Sequence, residues 1–91
     1  MVLTPSFTGQ FKQDRKRAAK RGWDIELLDR TIGRLIAQET LEPRHKVHML
    51  RGGYAGHWEC HLMPDFLLIW YYSGDADIVF VRAGSHSDLF G

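Results

Sequence analysis

The chain has 91 residues, of which 44% are hydrophobic, 25% charged and 12% aromatic, with a formal net charge of +1. That length supports one domain with one small core, and the composition is globular rather than disordered. The longest apolar run, Phe66 to Tyr72, is too short to span a membrane; the start MVLTPSFTGQ lacks the features of a secretory leader; and the lone Cys60 cannot form an intrachain disulfide. A small cytoplasmic domain is expected, and a membrane protein, a disulfide-stapled secreted module and a multidomain enzyme are excluded.

In chain order, Val2 to Thr4 reads as an edge strand. Phe7 and Phe11, followed by Ala18 and Ala19, predict a helix from Thr8 to about Arg21, stopped by Gly22. Its apolar stripe is thin, so a surface helix is expected. Asp24 is placed to cap a second helix. Its apolar positions Ile25, Leu28, Ile32, Leu35 and Ile36 recur at three- and four-residue steps. This helix should end near Glu39 or Thr40, before Pro43, and pack beside the first as a hairpin. Lys46 to Leu50 reads as a short strand, followed by a Gly52-Gly53 loop.

From His57 to Met63 the residues alternate, with Trp58, Cys60 and Leu62 on one face and His57, Glu59 and His61 on the other. Met63 to Phe66 is a tight turn with proline second. Phe66 to Tyr72 is continuously apolar and predicts a central strand covered on both faces. Ser73 to Ala76 turns the chain, and Asp77 to Ala83 is a further strand punctuated by Gly84. Helices first and a meander later predict an α+β domain, a small curved, mainly antiparallel sheet with a helical hairpin on one face.

Half of the twelve Lys and Arg fall between Lys12 and Arg21, namely Lys12, Arg15, Lys16, Arg17, Lys20 and Arg21, with only Asp14 opposing them in that stretch. Such a stripe is either a solvated helix face or a footprint for the phosphates of a polyanion. The chain lacks a phosphate-binding glycine loop, a dinucleotide fingerprint and a nucleophile elbow. It does carry five histidines, all beyond position 44.

Three readings compete for the histidines. A metal site could draw on His45, His48, His57, His61 and Cys60, but Cys60 and His61 point to opposite faces of a strand, and no cysteine pair or helical His-Glu-x-x-His is present. A structural role suits His45 and His57. Acid–base chemistry on an RNA phosphodiester needs a base for the 2′-hydroxyl, an acid for the leaving 5′-oxygen, a cation for the phosphate and a ring to hold the base. His48, His61, Asp65, Arg82 and His86 supply the ionisable groups, and Phe66 and Phe90 supply rings.

The second half of the chain resembles a known family. His48-Met49-Leu50-x-Gly52-x-Tyr54-x-Gly56, then Cys60-His61-Leu62-Met63-Pro64-Asp65-Phe66-Leu67-Leu68-Ile69-Trp70, then Val81-Arg82-Ala83-Gly84-Ser85-His86-Ser87-Asp88-Leu89-Phe90-Gly91, are similar to the YafQ branch of RelE-like toxins. The basic first helix and the length also fit that family. The resemblance implies a type II toxin that cuts mRNA in the ribosomal A site without a metal or other cofactor. Its implied partners are ribosomal RNA and a DinJ- or RelB-like antitoxin. It further implies site roles for His48, His61, Asp65, Arg82, His86 and Phe90. Phe66 stands where the family often has Trp, which keeps a ring and loses an indole N–H. In these roles His86 is the general acid or a phosphate-proximal donor, and Arg82 binds the scissile phosphate. His61 and Asp65 form the base side, with Asp65 either the base or the group that orients it, and His48 supports the nucleotide or shares base duty. The rivals are a ParE-like toxin acting on DNA gyrase, a non-catalytic RNA- or protein-binding module, and an inactivated toxin. The histidine set argues for the nuclease.

Overall fold

The alternation along the second half of the chain becomes a five-stranded sheet whose two faces differ in chemistry. The computed structural model describes all 91 residues. The elements are β1 (Thr4–Phe7), α1 (Gly9–Lys20), α2 (Ile25–Ile36), β2 (His48–Met49), β3 (Trp58–Met63), β4 (Phe66–Tyr72), β5 (Asp77–Gly84) and α3 (His86–Phe90), with single 3₁₀ turns at Pro43–His45 and Gly52–Tyr54. The strands lie in the order β1-β5-β4-β3-β2. All neighbours are antiparallel except β1, which runs parallel to β5. The fold is α+β, as the order of helices and strands predicts. No helix is long and apolar enough to cross a membrane.

Side chains start both long helices. Thr8 Oγ1 accepts from the Phe11 N–H at 3.0 Å, and Asp24 Oδ1 accepts from the Leu27 N–H at 3.0 Å. Past the α1 C-cap, Gly22 adopts φ +78°, a left-handed turn that glycine makes without strain. Both helices lie on one face of the sheet. Phe11 and Ala18 of α1, with Leu28, Ile32 and Leu35 of α2, pack against Cys60, Leu62, Phe66, Leu68, Trp70, Ile78, Phe80 and Ala83. The opposite face holds a smaller cluster, Leu67, Ile69 and Leu89, supported by Leu50, Tyr54 and Val81. The central strand β4 is therefore covered on both sides, as its unbroken apolar run predicts. Burial also drives the Cys60 thiol pKa up to about 12, so this cysteine is inert core.

Several boundaries differ from the sequence reading, each for a local reason. The N-terminal strand is Thr4–Phe7 rather than Val2 to Thr4, because it pairs in parallel with Asp77 to Phe80, a partner far away in sequence. Helix α2 stops at Ile36, short of Glu39: Ala37 caps it, and Gln38 turns left-handed with φ 61°. The strand expected over Lys46 to Leu50 shrinks to His48–Met49, because the 3₁₀ turn at Pro43–His45 is closed by Lys46 with φ 48°. The expected surface helix α1 is anchored on β5 through Phe11, Asp14 and Ala18, all buried. The C-terminal tail forms a helix, α3, started by a capping box in which Ser85 and Asp88 exchange backbone and side-chain bonds.

Because β1 and β2 are short, both neighbouring strands would show unpaired backbone, and side chains fill the gap. On β5, Thr8 Oγ1 donates to the Val81 carbonyl at 2.8 Å, and Asp14 Oδ2 accepts from the Ala83 N–H at 3.1 Å. On β3, His45 Nδ1 meets the His61 carbonyl at 2.7 Å, which makes His45 a structural residue.

Candidate active site

The face opposite the two long helices collects the polar strand residues. Register does this: Glu59 lies opposite Ile69 and His61 opposite Leu67 on one side of β4, while Arg82 and Gly84 lie opposite the same pair on the other. Since β5 leaves the sheet at Gly84, the chain emerges beside the Pro64-Asp65 turn. Helix α3 therefore starts where Asp65 is. A Cβ at Gly84 would sit 2.9 Å from Asp88 Cβ, so glycine is what lets α3 fold back this closely.

Asp65 Oδ1 accepts two bonds from His86, one from Nδ1 at 2.7 Å and one from the backbone N–H at 2.9 Å. These bonds, the backbone one first, hold the Asp65 carboxyl below its ordinary range. With Nδ1–H donated to Asp65, Nε2 is the ring atom that His86 offers to solvent. The His61 ring lies 5.8 Å from His86 and 6.2 Å from His48, centroid to centroid. Phe90 is exposed, 6.4 Å from His86 and 5.8 Å from Tyr54.

Sequence did not single out Glu59 as a functional residue, although its place between His57 and His61 on the polar face was the available signal. It is 4% exposed. Its Oε1 is 3.3 Å from His48 Nε2 and 3.7 Å from His61 Nε2, and its Oε2 has no partner. His48 Nδ1 also meets the Lys46 carbonyl at 2.6 Å, so Nδ1 carries a proton. Its other ring nitrogen, Nε2, is therefore the one that faces Glu59.

The structure places the other expected site residues less uniformly. Phe66 is 3% exposed in the helix-side core, its ring 4.9 Å from Trp23, and is therefore not a surface ring for a base. Asp65 pairs with His86 and not with His61. His57 packs edge-on against Tyr54 and Tyr71, in keeping with a structural role. Arg82 shares the face of His61, but its guanidinium bonds Asp14 through Nε at 2.8 Å and Nη2 at 3.2 Å.

The basic helix is also less free than its sequence suggests. Arg15 pairs with Asp29 at 2.6 Å, Arg17 with Asp14 at 3.0 Å and Arg21 with Asp88 at 2.7 Å. The carboxylates of Asp29 and Asp88 come from other elements, so the stripe is opposed by more than Asp14. Lys12, Lys16 and Lys20 form no ion pair and stay exposed along one side of α1.

Arg21, followed by burial working the other way and the Ser85 bonds, leaves the Asp88 carboxyl well below its ordinary value of 3.8. A carboxylate more acidic when folded than unfolded adds stability above its ordinary range, and loses it as pH falls towards the folded value. Asp88→Asn should therefore lower Tm near neutrality, with the deficit shrinking as pH drops below 3.8. A deficit that stays constant across an acid series of thermal melts would show that Asp88 contributes packing and not charge.

No group of three or more His, Cys, Asp or Glu side chains is arranged to hold a metal ion. His48, Glu59 and His61 lie together on this face without forming such a group.

Comparison with known proteins matches this arrangement to one family. Residues 3–91 match the family model of the bacterial toxin of type II toxin-antitoxin system, YafQ. The chain is 36% identical over 86 residues to the mRNA interferase toxin YafQ of Escherichia coli strain K12, covering 93% of this chain and 92% of that protein. Among solved structures it is similar to that of the E. coli DinJ-YafQ toxin-antitoxin complex, with TM-score 0.90, 33% identity and full coverage of both chains. It is also similar to a metal-bound toxin from Helicobacter pylori, with TM-score 0.88 and 37% identity over 99% of this chain and 100% of that one.

Proposed function

Since the chain belongs to the YafQ family of toxins of type II toxin–antitoxin systems, a family of mRNA interferases, we propose that it cuts mRNA in the ribosomal A site by acid–base chemistry of its own side chains, in the cytoplasm, and is held inactive by a DinJ-like antitoxin. The observation that carries this reading is the His86–Asp65 pair, bonded at 2.7 Å beside the His61 ring on an open face.

The chemistry divides between two sides of that face. On one side, His86 offers Nε2 while Asp65 fixes the ring. A protonated Nε2 donates to the departing 5′-oxygen, and Asp65 balances the imidazolium charge. On the other side, His61 and His48 flank Glu59, and one member of this trio takes the 2′-hydroxyl proton. Arg82 stabilises charge on the phosphate. Phe90, exposed beside His86, provides the ring on which an unpaired base stacks, with Tyr54 behind it. Phe66 has no part in this.

Lys12, Lys16 and Lys20 hold the toxin on ribosomal RNA phosphates, while the charges of Arg15, Arg17 and Arg21 are neutralised within the protein. Replacing the three lysines by Gln should reduce the slope of log K against log salt by roughly 2–3, as expected for three lost phosphate contacts. An unchanged slope in ribosome pelleting across a salt series would reject them as contacts.

The reading is tested by primer extension on a translated mRNA in a purified translation system. Discrete cuts that require ribosomes, persist in chelator-treated toxin and vanish on adding a DinJ-like antitoxin support it. Intact message with translation arrested would indicate a binding inhibitor. Intact message with normal translation would send the assay to DNA gyrase.

A further inference from the structure

The least explained group near the site is Asp14. It is a carboxylate in the middle of a basic helix, yet it is 1% exposed and lies between α1 and β5. Its Oδ1 accepts from Gln10 Nε2 at 3.1 Å, Arg17 Nη2 at 3.0 Å and Arg82 Nη2 at 3.2 Å. Its Oδ2 accepts from Arg82 Nε at 2.8 Å and from the Ala83 N–H at 3.1 Å. One carboxylate thus joins the first helix to the backbone and side chain of adjacent β5 residues. A mere edge cap on β5 would need only the Ala83 bond, and Thr8 shows that a neutral hydroxyl can cap the backbone of the same strand.

The Arg82 guanidinium is divided by this contact. Asp14 takes its Nε–Nη2 edge, and Nη2 also reaches the Asp88 carbonyl at 3.4 Å. Nη1 makes no bond to a carboxylate, and the guanidinium's remaining side-chain neighbour is the Tyr54 hydroxyl, so Nη1 is the end left for another anion. Held side-on, the planar fork cannot rotate about its long stem, and the order that a free arginine would gain only on meeting a phosphate is already present. The Asp88 contact ties the same guanidinium to α3, the helix that carries His86.

We propose that Asp14 is a positioning residue for RNA cleavage, aiming the free end of Arg82 at the scissile phosphate. The proposal rests on the reading of Arg82 as the phosphate-binding residue. Asp14 itself, buried behind β5, touches no RNA. The carboxylate does for Arg82 what Asp65 does for His86, and the two together set cation and acid in one frame.

The test is a double-mutant cycle in the purified translation system, comparing wild type, Asp14→Asn, Arg82→Ala and the double variant. Cleavage rate at saturating ribosomes and the ribosome concentration for half-maximal rate are read for each, with thermal melts alongside. Asp14→Asn keeps an oxygen for the Ala83 N–H but loses the charge that orders Arg82. It should slow cleavage about tenfold at saturation, with half-saturation within about twofold, and should slow Arg82→Ala no further. An equal loss in both backgrounds would mean that Asp14 acts through general stability, and no loss in a folded Asp14→Asn would mean that Arg82 needs no guide; either result overturns the proposal. Should Asp14→Asn not fold, Asp14→Glu moves the guanidinium without removing its partner, and the same cycle applies. If Arg82→Ala itself cuts at the wild-type rate, the phosphate-binding reading falls and takes the proposal with it. A harmful Arg82→Ala with a harmless or additive Asp14→Asn defeats the positioning role alone.

Discussion

A His86→Gln variant is expected to fold as the wild type does and to cut mRNA at least ~10²-fold more slowly, because a neutral amide cannot give a proton to the leaving oxygen. Folding should survive because nothing structural depends on the ring. The His86 side chain is more than half exposed, the start of α3 is secured by Ser85 and Asp88, and the His86 backbone N–H still reaches Asp65. A glutamine amide can also donate to the Asp65 carboxylate, so the turn keeps its partner. Asp65→Asn should cost less, since its amide oxygen still accepts from the ring and only the charge that balances the imidazolium is lost. Single-turnover cleavage on programmed ribosomes, with a thermal melt of each variant, separates these cases. Wild-type rates in a folded His86→Gln protein would remove the acid from the mechanism and leave the histidine face as a binding surface.

What the sequence made legible follows from where its polarity changes. On β3 the polar and apolar residues alternate, so the faces of Cys60, Glu59 and His61 follow from spacing alone, and the burial of Cys60 and Glu59 on opposite sides agrees. The α2 periodicity and its Asp24 cap were equally plain. Features that depend on distant partners were not. Strand β1 is fixed by parallel pairing with β5, and nothing near Thr4 announces it. The arginines of α1 looked free because Asp29 and Asp88 lie outside the helix that holds them. Helix α3 is five residues long, too short for a hydrophobic period, and its only local signal was Ser85 followed three residues later by Asp88. The histidine cluster was readable as a set of residue types. That Asp65 serves His86 while Glu59 serves His48 depends on register, which composition does not carry.

Phe66 illustrates the same limit with a measurable consequence. Along β4 every position from Phe66 to Trp70 is apolar and buried, so alternation cannot say which side chains face the helices. Sequence placed the ring beside Asp65 at the site, whereas the hairpin register turns it to the helix side, against Trp23. Phe66→Ala should therefore destabilise the protein by about 3–5 kcal/mol, through lost apolar transfer and the cavity left beneath Trp23 in the α1–α2 connection. In a domain of this size stabilities are roughly 5–15 kcal/mol, and a loss of that order lowers Tm by well over ~10 °C. Phe66→Leu retains most of the apolar volume, so it should cost far less and leave cleavage by the folded fraction within about twofold of wild type. Urea unfolding curves give the stabilities, and single-turnover rates normalised to folded protein give the activities. A Phe66→Leu protein that is fully folded yet cuts tenfold more slowly would mean that the ring reaches the RNA after all, with Trp23 its resting place between encounters.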